Sequence, residues 1–132
     1  MEDRYLFKAK FDDSDRWVKG QLVEVNDTYL IIPNHASKIL AGWFSTSNII
    51  EVKKDTICRC TGREDKNGKL IWENDIVKIN NSKVNTLITF RDFEIICTIP
   101  NEKYYKHRLE YDTEYEVIGN KFDNPELLES EE

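Results

Sequence analysis

Soft metal ligands in this chain are few: Cys58, Cys60 and Cys97, with His35 and His107. A tetrahedral zinc site would draw Cys58 and Cys60 together with Cys97 and one histidine. Structural zinc sites present two paired clusters, and here the second pair is missing. No metal or cofactor is therefore assigned, and the thiols are expected to be buried and inert. On a strand, Cys58 and Cys60 share one face and Arg59 takes the other. Neither histidine lies in a nucleophile motif. Acids cluster at Asp12, Asp13 and Asp15 and again at Glu73 and Asp75, but the spacing does not match a calcium loop. The five glycines are scattered, which leaves no phosphate-cradling loop. The expectation is a protein that is not an enzyme.

Two groups of residues point instead to binding. Lys103-Tyr104-Tyr105-Lys106-His107-Arg108 interleaves basic and aromatic side chains, which could grip phosphates and stack on bases. Lys53 and Lys54 could extend that patch. The same segment also reads as a loop or short helix whose tyrosines cover the core edge while the lysines snorkel, and Glu102, Glu110 and Asp112 blunt its field. Trp43 and Phe44 stand in a long glycine-poor stretch, either plugging the core from outside or forming a protein interface. Protein binding, to a second copy or to another protein, is the leading expectation. Nucleic-acid binding through Lys103, Tyr104, Tyr105, Lys106 and Arg108 is the alternative.

The elements that must position these residues are strands. Segments rich in Ile, Val, Tyr, Phe and Trp alternate with turn signals, the pattern of an all-β domain of short antiparallel strands and hairpins. Phe7–Phe11, Trp17–Val25 and Tyr29–Ile32 read as a three-strand meander, with turns at Asp12–Asp15 and Asn26-Asp27 and a stop at Pro33. Residues 34–48 read as a connecting loop. Ile49–Val52 and Thr56–Cys60 follow as strands, and Thr61-Gly62 reads as a break. Asn67-Gly68 favours the positive φ of hairpin turns and predicts a hairpin into Leu70–Trp72. Glu73-Asn74-Asp75 turns the chain into Ile76–Ile79, an arrangement that also occurs in small SH3-like barrels. Val84–Phe90, Phe93–Ile99 and Tyr115–Gly119 complete the strands. Residues 1–122 form the expected β domain. Residues 123–132 form an acidic C-terminal tail.

At 132 residues the chain can bury a core without covalent staples. Lys and Arg total 19 against 25 Asp and Glu, a net charge of −6. That charge repels phosphate backbones at long range and would suit a basic partner. No apolar run approaches the roughly 20 residues that span a bilayer, so no membrane partner is expected. The opening Met1-Glu2-Asp3-Arg4 lacks the features of a signal peptide, and an odd number of cysteines argues for reduced thiols. The expected compartment is the bacterial cytoplasm.

Three blocks follow one another along the chain. The first holds Tyr5-Leu6-Phe7-Lys8-Ala9-Lys10, Trp17-Val18-Lys19-Gly20 and Tyr29-Leu30-Ile31-Ile32-Pro33. The second runs from Thr61-Gly62-Arg63-Glu64-Asp65-Lys66-Asn67-Gly68-Lys69 through Ile71-Trp72-Glu73-Asn74-Asp75-Ile76-Val77. The third is Glu116-Val117-Ile118-Gly119-Asn120 with Asn124-Pro125-Glu126-Leu127-Leu128. In this order they resemble the YopX family of phage and prophage proteins. The resemblance implies an all-β fold, a phage or prophage source and no established activity. Asn74 stands where a glycine is common, a mild change because Asn tolerates left-handed φ. Cys58 and Cys60 replace a small and an aromatic residue, which argues against a family-wide role for these thiols.

Overall fold

The computed structural model describes residues 6–33, 49–91, 94–99, 106–108 (backbone) and 113–129. Among these the regular structure is β, with two short 3₁₀ turns at Lys54–Thr56 and Pro125–Leu128. The strands are β1 Phe7–Lys10, β2 Trp17–Val25, β3 Thr28–Pro33, β4 Ile50–Glu51 and β5 Cys58–Glu64. Then come β6 Leu70–Trp72, β7 Asp75–Ile79, β8 Thr86–Arg91, β9 Glu94–Thr98, β10 Lys106–Arg108 and β11 Tyr115–Asn120. Two antiparallel sheets result, ordered β4-β3-β2-β1-β5-β6 and β10-β9-β8-β7-β11. No helix among the described residues is long and apolar enough to cross a membrane.

The chain divides into two compact units, residues 1–60 and 61–132. The boundary carries no linker signal because it falls inside β5.

In the first unit, β1, β2 and β3 form the expected meander. Asn26 and Asp27 have φ of 49° and 64°, and Val25 pairs with Thr28 across them. Two consecutive positive φ angles match the right-handed twist of the flanking strands, and Asn and Asp tolerate them. Pairing sets Ala9 against Val18 and Leu22 against Ile31. Ala9, Val18 and Ile31, joined by Val52, form the core of this unit. Gly20 is required where it stands: a Cβ there would fall on the carbonyl of Ile32.

In the second unit, Ile71, Val77, Ile88, Cys97 and Tyr115 form the core. The expected break at Thr61-Gly62 does not occur, and β5 continues to Glu64. Gly62 adopts φ 78°, and the hydroxyl of Thr61 accepts the Arg63 N–H at 3.1 Å while donating to the Ile71 carbonyl at 2.6 Å. A glycine with positive φ is absorbed here as a local irregularity within the strand. The Asn67-Gly68 hairpin forms, but only Gly68 has positive φ, at 81°. The Gly68 N–H donates to the Asp65 carbonyl at 3.0 Å, and the Asp65 N–H to the Lys69 carbonyl at 2.7 Å. Asn74 takes the left-handed conformation at φ 72°.

Lys106–Arg108 is neither loop nor helix. It forms β10, pairing with β9 as Lys106 to Thr98, His107 to Cys97 and Arg108 to Ile96. Hydrogen bonds to a partner strand fix its conformation, which local sequence does not reveal. At the C-terminal end, Pro125–Leu128 forms a 3₁₀ turn whose Leu127 carbonyl accepts the Asn85 side chain at 2.8 Å. Residues 123–129 are thus tied to the second unit by hydrogen bonds.

Candidate functional site

Of the residues singled out from sequence, Trp43, Phe44, Lys103, Tyr104, Tyr105 and His35 lie outside the described residues. Lys106, His107 and Arg108 lie on β10, at an edge of its sheet. Cys58 and Cys60 are buried on β5 and Cys97 on β9, all as thiols. The Cys58 thiol donates to the Thr56 carbonyl at 3.2 Å. Arg59 alternates to the other face, exposed, over the ring of Phe7 at 5.6 Å. No three metal-ligating side chains converge among the described residues.

Lysines and a tryptophan meet on the first unit. Cross-strand pairing places Lys8 opposite Lys19 and Lys10 opposite Trp17. Directly opposite residues of an antiparallel pair share a face, so these four form one patch on the face away from Ala9 and Val18. The ammonium of Lys8 lies 4.7 Å from the Trp17 ring centroid and that of Lys10 5.4 Å. Attraction between a cation and the negative ring face favours both positions; Lys8 is half-buried, and Lys10 is buried at 7% exposure. The Lys10 ammonium also lies 3.8 Å from the Asp15 carboxylate, and that of Lys53 3.6 Å from the same oxygen.

The local fold explains this geometry. The Phe11 N–H donates to the Arg16 carbonyl at 2.9 Å, closing the acidic loop that carries Asp15. The Lys53 N–H donates to the Lys10 carbonyl at 2.9 Å. The Thr56 hydroxyl donates to the Lys53 carbonyl at 2.7 Å and accepts the Lys10 N–H at 2.9 Å. One threonine thus pins the 3₁₀ turn to the end of β1 and delivers Lys53 to Asp15. Lys54 lies over Tyr29 at 5.5 Å. Lys53 and Lys54 therefore belong to the first unit, and β10 to the second.

This patch was missed as a site although its residues were legible. Phe7-Lys8-Ala9-Lys10 and Trp17-Val18-Lys19-Gly20 both alternate with period two. The missing signal was register: a one-residue slip would carry Trp17 to the opposite face.

Two buried acids of the second unit, Asp65 and Asp75, make backbone contacts. Asp65 is buried. One of its oxygens accepts the N–H groups of Asn67 and Lys69, both at 2.9 Å, and the other accepts that of Val117 at 3.0 Å. Burial alone would raise its carboxyl pKa, but the backbone donors and the Lys69 charge outweigh burial and hold it below the ordinary value of 3.8. Asp75, also buried, accepts the Trp72 N–H at 2.8 Å. Lys66 sits 3.8 Å from each of the Glu114 and Glu116 carboxylates. Carboxylates that accept backbone N–H groups in this way act as turn clamps.

Compared with known families, residues 6–129 match the one described as YopX protein. No curated protein matches the chain. The Thr61–Val77 block, folded here as an irregular strand, a hairpin and an Asn74 turn, falls within the match, as does the lysine–tryptophan patch. The chain belongs to the YopX family.

Proposed function

We propose that this protein is a non-catalytic, phage- or prophage-encoded binding module that works in the bacterial cytoplasm by engaging another protein or a second copy of itself. One observation carries the reading: the arrangement of Lys8, Lys10, Trp17 and Lys19 on paired strands of the first unit. Ammonium groups ordered by an aromatic ring supply charge and contact area. They supply no nucleophile and no general base. The backbone-clamped Asp65 and Asp75 fit the same picture. Sheet edges at β4, β6, β10 and β11 offer further places where chains can add.

Nucleic-acid binding is the second reading, favoured by the position of Lys106 and Arg108 on an edge strand. An affinity pull-down of the tagged protein from host lysate, with nuclease added to half, tests both. Protein partners that survive nuclease support the module. Nucleic acid recovered and then lost with nuclease would replace it with the second reading.

A further inference from the structure

The two halves of the third sequence block, residues 116–120 and 124–128, fold against each other. A Cβ on Gly119 would fall on the Asn124 side chain and lie 3.0 Å from Leu127 Cδ1, so the bare glycine leaves a seat that these two residues fill. Gly119 pairs with Ile76, and Ile76 with Leu87. Directly opposite residues share a face. The seat therefore lies on the side of the sheet that carries Ile76 and Leu87, with Ile76 fully buried. Residues 123–129 form a strap across it, held through three asparagines. Asn124 Oδ1 accepts the Asn120 N–H at 3.2 Å, and the Asn124 N–H donates to the Asn120 carbonyl at 2.8 Å. Asn120 Oδ1 accepts the N–H groups of Phe122 and Asp123 at 3.0 and 2.9 Å, which bends the chain back at the end of β11. Asn85 Nδ2 donates to the Leu127 carbonyl at 2.8 Å.

The clasp at Asn85 is half made. Its Oδ1 is buried, and no described residue donates to it. Pro125 and Glu126 are exposed and Leu127 and Leu128 half-buried, so little apolar area resists local opening of the strap. We propose that residues 123–129 are an exchangeable strap, and that the Gly119 seat also takes the same segment of a second copy of this chain. The occupant is argued from fit: Asn124 and Leu127 of a second copy meet at Gly119 the surface they already fill within one chain. Exchange keeps the contacts of the strap and changes only the bend that precedes it. That bend is shaped by the Asn120 side chain, and a strap released from it can reach a neighbouring copy.

This inference rests on the self-association arm of the proposed function, and its test is separate from the pull-down. The full chain and its variants are followed by sedimentation velocity across about a hundredfold range of protomer concentration, with the circular dichroism β signal confirming the fold of each. Asn120→Ala loosens the bend, leaves the seat intact and is expected to raise the dimer fraction about tenfold. Adding Leu127→Ser should return that variant to monomer. Gly119→Val blocks the seat but keeps an intact strap, whereas Leu127→Ser spoils the strap but keeps the seat. Mixed, these two should form a heterodimer that neither forms alone; if Gly119→Val loses its β signal, Gly119→Ala takes its place. Absence of both the Asn120→Ala dimer and the heterodimer overturns the exchange, while nuclease-resistant partners in the pull-down would still uphold the binding module. A dimer that survives Leu127→Ser also overturns it, and leaves self-association to another surface.

Discussion

The two units use charged side chains in opposite ways. In residues 61–132 Asp65 is turned inward onto three backbone N–H groups that join the Asn67-Gly68 hairpin to β11. In residues 1–60 the lysines of β1 and β2 gather on one sheet face around Trp17. The first arrangement gives a buried carboxylate three backbone donors, and its worth is stability. The second orders lysine side chains against an aromatic ring on one sheet face. Net charge follows the same division: the whole −6 of the chain arises from residues 61–132. An average over the chain conceals one neutral unit, which carries a lysine patch, and one strongly acidic unit.

Asp65→Ala puts the most weight on this contrast. Removing an acceptor of three backbone donors should cost about 3–5 kcal/mol, read as a lowered urea midpoint. A loss below about 1 kcal/mol would mean that Asp65 is not the clamp described. The same group sets an acid limit. Because its folded pKa lies below 3.8, its contribution is fully present above that value and disappears as pH falls through the folded pKa. The stability gap between wild type and Asp65→Asn should therefore close under acid, which denaturation at stepped pH will reveal.

A smaller effect is expected at Asn74. Its φ of 72° is easy for glycine and costly for a β-branched residue. Asn74→Gly should leave stability within about 0.5 kcal/mol, and Asn74→Val should lower it by about 1–2 kcal/mol.

Much of the fold was legible because local rules decided it. Asn26-Asp27 could be read as a tight hairpin since both residues accept positive φ. Asn67-Gly68 could be read as a turn, but its form was set by Asp65, whose carboxylate captures the Asn67 and Lys69 N–H groups. Local rules failed at Gly62, where the Thr61 hydroxyl bridges what looked like a break. They failed again at β10, whose conformation comes from pairing with β9. The patch was hidden for the same reason. Each strand displayed its alternation, yet only the register of Lys8 on Lys19 and Lys10 on Trp17 turns two alternating strands into one surface.

The Asn67-Gly68 turn also bears on how the protein ages. An asparagine followed by glycine is the dipeptide most prone to deamidation, because the following backbone nitrogen can close onto the side-chain amide. Here the Gly68 N–H is engaged by the Asp65 carbonyl at 3.0 Å, and the Asn67 N–H by the Asp65 carboxylate. Ring closure needs that nitrogen deprotonated and swung toward the amide, so it must first break the hairpin. The folded chain thereby shields the side-chain amide of its one Asn-Gly dipeptide, and deamidation at Asn67 records time spent unfolded.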